Sequence, residues 1–197
     1  MPKNIQEAPC PSPLIEFLKQ SKVKKSNLPR YFYRVFHSGS YNQYDAASGI
    51  LAGDPAVYLK TDEQAHESLK DHINAANCDR PTPFISVYSD REQAVKLVKR
   101  LQSEGKEKIQ IAIVYVKNMQ DSELWRILDM KLALKYFGME MDTEAAASAA
   151  ESEHLFVRHI PLRAMKYRPL TDERFLERTR TEGKGEFTPK SSACQSD

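Results

Sequence analysis

Residues 31–39 read YFYRVFHSG. This stretch is informative about the fold because a strand-like run of aromatic and β-branched residues contains a charged residue. Aromatic and β-branched residues favour strands, so residues 31–36 predict a strand. Arg34 stands inside it, between Tyr33 and Val35. A buried guanidinium needs a hydrogen-bonding partner or a ligand. Arg34 is therefore the first candidate binding residue.

The charge balance gives no reason to expect a nucleic-acid partner. The 197 residues include 29 Lys and Arg against 27 Asp and Glu, for a formal net charge of +2. The two signs are interspersed along the chain, whereas a nucleic-acid site needs a basic patch.

Cysteine usage and hydropathy favour a cytoplasmic protein without a membrane partner. Cys10, Cys78 and Cys194 are scattered and form no CxxC pair, which argues against a disulfide framework and a cysteine zinc site. Residues 1–13 have no apolar core of signal-peptide length, and no run of about 18 apolar residues occurs.

The length suits one domain with extended ends. Residues 1–28 are rich in proline and basic residues and predict a flexible arm. Residues 178–197 combine charge, glycine and serine with little apolar content, so we expect a disordered tail. The folded domain is placed at 29–177.

Three segments have the apolar periodicity and end signals of helices. They cover residues 62–76, 91–105 and 122–138, with Thr61, Ser89 and Asp121 as N-caps. In the third segment the predicted apolar side consists of Leu124, Ile127, Leu128 and Leu132. The alanine-rich residues 141–153 fit either a short helix or a mobile loop.

Strands are predicted at 31–36, 84–88, 109–116, 155–160 and 164–170. They do not alternate regularly with the helices, and tight Asn-Gly hairpins are missing. This order favours an α+β fold over a doubly wound sheet.

Common catalytic and metal-binding patterns are absent. The sequence has no GxGxxG, GxxxxGK[ST], HExxH or GxSxG pattern. The five histidines are His37, His66, His72, His154 and His159, and their spacing suggests no metal site.

Polar residues in two predicted strands and immediately before a third form the main functional pattern. Arg34 follows Tyr33 in the first strand, Ser86 lies in FISVYS at 84–89, and Glu151 with Glu153 forms ESE. In this order the sequence resembles the mono-ADP-ribosyltransferases of the cholera toxin and heat-labile enterotoxin class.

Two further details extend the resemblance, which covers roughly residues 31–167. Glu153 precedes Ile160-Pro161 by the seven-residue step of that class, and the strand at 109–116 leads into Asn118-Met119. Residues 120–150 form a helical insertion where the toxins are shorter.

The resemblance implies an ADP-ribosyltransferase-like split β-sandwich of two small antiparallel sheets with flanking helices. It also implies an NAD-dependent enzyme, with NAD as a substrate, that transfers ADP-ribose to an unknown protein acceptor. Arginine is the acceptor side chain that the ExE pattern favours.

Each residue of the pattern takes a role by the same resemblance. Glu153 would stabilise positive charge that develops on the ribose, and Arg34 would bind the phosphates. Ser86 would orient Glu153, and Tyr88 would stack on nicotinamide. Glu151 would steer the acceptor guanidinium from the same strand face as Glu153.

Structural interpretations of these residues stay open. Arg34 could form an ion pair with Glu151 or Glu153, both glutamates could lie on a solvated helix end, and Ser86 and Tyr88 could be ordinary strand residues. Val87 and Tyr88 replace the threonine and second serine of the toxin pattern. The alternative functions are an NAD glycohydrolase and a weakly active or inactive binding module.

Overall fold

The computed structural model describes residues 25–57, 59, 61–74, 81–124, 126–141, 143–166 and 169–182. The predicted arm and tail, and all three cysteines, lie largely or wholly outside these residues. At the two predicted domain boundaries, Leu28 packs against the core and a helix continues past 177 to Glu182. Within the described residues, no helix has the length and hydropathy to cross a membrane.

Nine strands form two antiparallel sheets in the described part of the chain. In chain order β1 to β9 are Tyr31–Phe36, Tyr44–Asp45, Gly49–Leu51, Phe84–Tyr88, Gln110–Tyr115, Ile127–Asp129, Glu153–Val157, His159–Pro161 and Leu170–Thr171. The larger sheet has the order β6-β7-β4-β1-β5-β9, and the smaller has the order β2-β3-β8.

Six α-helices accompany the sheets within the same residues. In chain order α1 to α6 are Asp62–Ile73, Arg91–Ser103, Asp121–Leu124, Met130–Phe137, Glu144–Ala150 and Asp172–Glu182. Thr61 caps α1 by accepting a hydrogen bond from the Gln64 amide, as the sequence predicts. The α+β class with two antiparallel sheets and flanking helices is confirmed.

Three apolar clusters hold the layers together. The first lies between the sheets, where Phe32 and Val114 of the larger sheet meet Ile50 and Ile160 of the smaller. The other two cover the opposite face of the larger sheet. One joins α1, α4 and α5 to β4 and β7, and the other joins α2 and α6 to β1 and β5. A fully buried large apolar side chain contributes about 1.5–3 kcal/mol to such packing.

The predicted helix at 122–138 is wrong in its middle. The chain there forms the short helix α3, the edge strand β6 and then α4, because Ile127 and Leu128 pair with Phe156 and Leu155 of β7. Asp129 starts the new helix by accepting a hydrogen bond from the Leu132 amide, 2.9 Å away. Leu132 is 47% exposed and does not belong to a buried face. Residues 120–150 therefore contribute a strand as well as helices.

The predicted strand at 155–160 is two strands in different sheets. Arg158 has φ +73° between β7 and β8, and this left-handed residue turns the chain from the larger sheet to the smaller. The Arg158 amide donates to the Pro83 carbonyl and its Nε to the Pro55 carbonyl, which fixes the turn. The strand predicted at 164–170 is not a continuous strand in the described residues. Leu162–Ala164 form a 3₁₀ turn, Met165 makes an isolated bridge to Val114, and β9 begins at Leu170, while residues 167–168 lie outside the described residues.

The larger sheet is divided along its centre, between β1 and β4. Strand β1 pairs with β5 through six residue pairs, and β4 pairs with β7 through five. Between β1 and β4 there is one pair, Tyr33 opposite Tyr88. The two strands therefore diverge beyond this pair and leave their backbones open to other contacts.

Gly49 is the position where the smaller sheet tolerates no side chain. Its φ is +105°, and a Cβ there would overlap the backbone of Ile160 and Leu162. We predict that Gly49→Ala lowers the free energy of unfolding by at least about 2 kcal/mol, because strain and steric overlap add.

Urea denaturation of Gly49→Ala and Gly105→Ala checks this prediction. Gly105 also has a positive φ, but a Cβ there would meet nothing within 4 Å. The matched change should cost about 1 kcal/mol. Equal losses in the two variants would show that the close approach at Gly49 contributes nothing.

Candidate functional site

Four side chains of the central strands lie on one face of the larger sheet. Tyr33 is opposite Tyr88, and Tyr88 is opposite Glu153, so these three side chains project to the same side. Ser86 follows the same alternation along β4. The face they share also carries α1, α2 and the two helix-side apolar clusters, and Tyr33 packs against the cluster of α2 and α6. Sheet register thus assembles a polar strip inside an apolar layer.

Arg34 reaches this strip from the neighbouring position of β1. Its Nη1 donates to the carbonyl oxygen of Ser86 at 2.9 Å, where β1 and β4 have diverged. Burial lowers the pKa of Arg34 to about 10, and the nearby Tyr88 and Glu153 oppose this shift. The Nε of Arg34 is buried and has no hydrogen-bond partner among the described residues. The guanidinium is therefore charged, desolvated and incompletely paired.

Glu153 is the first residue of β7 and is buried, with 9% exposure. Burial raises the pKa of its carboxyl group, while a hydrogen bond from Ser86 and the charge of Arg34 oppose the rise. A buried carboxylate with a raised pKa and a cationic neighbour is typical of functional sites.

A chain of hydrogen bonds connects Ser86 to α1. His72 lies near the end of α1, with Nε2 2.7 Å from the Ser86 hydroxyl and Nδ1 2.7 Å from the Thr82 hydroxyl. Burial and the charge of Arg34 lower the pKa of His72 to about 3, so its ring is neutral at pH 7. His72 therefore holds Ser86 without adding charge.

The acceptor requirements of the carboxylate fix the direction of this chain. An ionised Glu153 only accepts, so Ser86 donates to it and accepts from Nε2–H of His72. The other ring nitrogen then accepts from the Thr82 hydroxyl. Each donor along Thr82, His72 and Ser86 has one acceptor, which orients the Ser86 hydroxyl toward Glu153.

Tyr88 lies beside both charged groups. Burial raises the pKa of its phenol above the usual range, and the nearby Glu153 raises it further. The phenol is therefore neutral at pH 7. Tyr88 supplies a neutral aromatic wall next to Arg34 and Glu153.

Glu151 is not on the strand face of Glu153, so that part of the sequence prediction is wrong. It is the C-cap residue of α5 with helical φ and ψ, whereas β7 begins two residues later. Its carboxylate is exposed and accepts two hydrogen bonds from Nζ of Lys131, at 2.6 and 2.8 Å.

The structural ion pair considered for Arg34 does not form in the described residues. Within these residues, no ion pair with a nitrogen–oxygen distance of 4.0 Å or less joins Arg34 to Glu151 or Glu153, and the Arg34 guanidinium donates to the Ser86 carbonyl instead. Glu153 acts on Arg34 at longer range, and Glu151 is paired with Lys131. A solvated helix end describes Glu151 correctly but does not describe the buried Glu153.

His72 and Thr82 are members of the cluster that the sequence patterns did not single out. The available signal was the position of His72, three residues after Leu69 on the buried side of α1.

Ser89 was predicted as the N-cap of α2, but Asp90 has that role and accepts from the Glu92 amide at 2.8 Å. Ser89 instead donates through its amide and hydroxyl to the Ser152 carbonyl. Among the described residues, no group of three His, Cys, Asp or Glu side chains could hold a metal ion.

A family model described as "Domain of unknown function (DUF7587)" matches residues 27–167, more than two thirds of the chain. The chain belongs to this family. Its matched region contains the cluster just described, which consists of Tyr33, Arg34, His72, Thr82, Ser86, Tyr88 and Glu153, and it also contains Glu151. The family description assigns no activity to them.

Two other comparisons add little. No curated protein matches the chain. Among solved structures it is similar to a chain named EcPltA, with 14% sequence identity, a TM-score of 0.40, and coverage of 70% of this chain and 73% of that one. At this TM-score the likeness is weak.

The depressed pKa of His72 leads to a prediction about acid stability. The folded protein keeps this ring neutral to about pH 3, whereas the unfolded chain protonates it near pH 6.5. The unfolded state therefore binds more protons between these values, and stability falls as pH decreases through this window. We predict that His72→Gln flattens the decline by up to about 1.4 kcal/mol per pH unit.

Urea denaturation between pH 7 and pH 4 measures the slope. His66→Gln is the matched control, since this histidine is on the same helix and is more exposed than His72. It should change the slope less. If the free energy of unfolding changed with pH at the same slope in His72→Gln and in the unmodified protein, the burial of a neutral His72 would be contradicted.

Proposed function

We propose that this chain binds NAD, cleaves its nicotinamide–ribose bond and transfers ADP-ribose to a protein side chain, with arginine as the acceptor. The observation that supports the proposal is the meeting of Arg34, Ser86 and Glu153 at the division between β1 and β4. These residues were selected from separate parts of the sequence, and each has an environment that suits its proposed role.

Arg34 is proposed to bind the phosphates of the dinucleotide. A guanidinium offers paired N–H groups that match phosphate oxygens. The buried Nε without a partner has unused donor capacity, and leaving such a donor unpaired costs about 1–3 kcal/mol. A bound phosphate would satisfy it and restore the charge balance of the buried cation.

Glu153 is proposed to stabilise the transition state. Departure of nicotinamide, as a neutral leaving group that keeps the bonding electron pair, leaves positive charge on the ribose carbon and ring oxygen. An oriented carboxylate in a site with little water stabilises this charge strongly. Ser86 and the charge of Arg34 favour the ionised form that this role requires. The acceptor nitrogen then bonds to the ribose carbon and releases a proton.

The remaining residues complete the proposed site. His72 and Thr82 position the Ser86 hydroxyl. Tyr88 presents a neutral ring for contact with nicotinamide. Glu151 supplies an exposed anion beside Glu153 for an arginine acceptor. With water as the acceptor the same site would be an NAD glycohydrolase.

A binding module without turnover is the second candidate, and the Arg34–Ser86 contact favours it. This hydrogen bond already gives the guanidinium one partner within the protein. Val87, which packs in the inter-sheet cluster, and Tyr88 also take the place of two hydroxyl residues of the toxin pattern. This candidate predicts no release of nicotinamide.

The first test replaces the proposed catalytic carboxylate. We predict that Glu153→Gln lowers nicotinamide release from NAD by about 10²–10³-fold, a loss comparable to removing one transition-state hydrogen-bond donor. Chromatographic assay of nicotinamide and of labelled ADP-ribose on protein measures both products. Glu140→Gln, an exposed carboxylate-to-amide change, is the control.

Thermal unfolding separates this loss from misfolding. Because burial raises the pKa of Glu153, its ionisation lowers stability as pH rises, so Glu153→Gln should be at least as stable at pH 8. Nicotinamide release that persists in this variant would remove Glu153 from the mechanism. The absence of release from the unmodified protein would favour the binding module.

The second test measures NAD binding. We predict that Arg34→Ala raises the Kd for NAD about ten- to a hundredfold, since hydrogen bonds to charged groups contribute about 1.5–3 kcal/mol. Calorimetry with the full chain measures the affinity, and Arg163→Lys, an exposed arginine that pairs with Glu123, is the control. An unchanged affinity in Arg34→Ala would refute phosphate binding by Arg34.

A further inference from the structure

We propose that Lys131 competes with the acceptor for Glu151, so that an internal cation limits the entry of arginine side chains into the site. This inference rests on the proposed function, because it assigns the acceptor side of the same cluster. The geometry that supports it is the contact between the Lys131 ammonium and both carboxylate oxygens of Glu151, at 2.6 and 2.8 Å.

Glu151 is close in the chain to the proposed reaction centre. It lies two residues before Glu153, and two residues span at most about 7 Å. The intervening Ser152 carbonyl accepts from the Ser89 amide at 2.8 Å and from the Ser89 hydroxyl at 3.0 Å. The segment that carries Glu151 is thereby fixed to the end of β4. A cationic acceptor that approaches Glu153 from solvent meets Glu151 as a neighbouring anion.

Lys131 is held in place by the start of α4. Asp129 pairs with His154 of β7 in the sheet and caps α4 through the Leu132 amide. Lys131, the second residue of this helix, is therefore carried by a capped element that is joined to the strand of Glu153. Its contact with Glu151 brings the ammonium to this end of β7.

Both charges are at the less favourable end of their helices. The N-terminal end of a helix carries partial positive charge and the C-terminal end carries partial negative charge. Lys131 lies in the first turn of α4, and Glu151 is the C-cap of α5. Neither charge stabilises its own helix. The ion pair between Lys131 and Glu151 is the favourable electrostatic contact that the structure shows for these two residues.

The pair is weak enough to open. Both side chains are well exposed, at 63% for Lys131 and 60% for Glu151, and exposed ion pairs contribute little to stability. An arginine acceptor forms two parallel hydrogen bonds with a carboxylate, whereas an ammonium acts as a point charge. Arginine can therefore displace Lys131, while a neutral acceptor has no such competition to overcome. Lys131 acts as a selectivity-determining residue and not as a permanent block.

The test uses agmatine as a small guanidinium probe on the full chain. Lys131→Met removes the charge and keeps the length of the side chain, so we expect the Kd for agmatine to fall about two- to fivefold. An NMR titration without NAD measures the Kd. The KM for agmatine in an ADP-ribose transfer assay should fall by the same factor.

Lys135→Met is the matched control, because Lys135 is exposed one turn further along the same helix. It should leave both constants unchanged, and Lys131→Arg should keep the KM high. Equal agmatine affinities in Lys131→Met and Lys135→Met would overturn the proposal. Tighter binding in Lys131→Met alone supports it, even if the unmodified protein releases no nicotinamide, a result that would instead refute the proposed function.

Discussion

The contact between Arg34 and the Ser86 carbonyl is the interaction on which the candidate site depends. Strands β1 and β4 share one residue pair, and beyond it the guanidinium, instead of a strand backbone, contacts β4. Burial lowers the pKa of both Arg34 and His72, and the charge of Arg34 lowers the pKa of His72 further. Regular strand pairing is therefore interrupted at the centre of the sheet, and a desolvated cation is held there near Glu153.

The polar chain from Thr82 through His72 to Ser86 compensates for part of this arrangement. Burying a carboxylate and a guanidinium in an apolar layer is unfavourable unless both are hydrogen-bonded. Ser86 and Arg34 favour the ionised form of Glu153, but burial still raises its pKa. The Arg34 Nε remains without a hydrogen bond among the described residues. Incompletely paired buried charges of this kind lower the stability of the fold. They are common in binding and catalytic sites, because residues selected for activity are often not the most stabilising ones.

The segment 120–150 has more influence on the site than an ordinary surface insertion. It adds β6 beside β7, continues into α4 and α5, and ends at the residues that precede Glu153. Its helix α4 carries Lys131, and Glu151 directly follows its helix α5. One segment therefore pairs with the strand of Glu153 and carries the cation that contacts Glu151. The chain belongs to a family whose description gives no activity, so these contacts are the basis for functional experiments.

The sequence alone determined the elements with strong local signals. Strands β1 and β4, helices α1 and α2, and the α+β class follow from residue periodicity and capping residues. Arg34 and Ser86 stood out as polar residues in strand-like runs, and Glu153 stood out just before such a run. Tertiary structure decided the rest because the competing interactions are non-local. Pairing with β7 turned Ile127 and Leu128 from helix to strand, a left-handed Arg158 divided one predicted strand between two sheets, and Lys131 gave Glu151 a partner that its neighbours in the sequence do not reveal. His72 joined the site because sheet register and helix packing bring a residue of α1 to Ser86, and no local pattern encodes that distance.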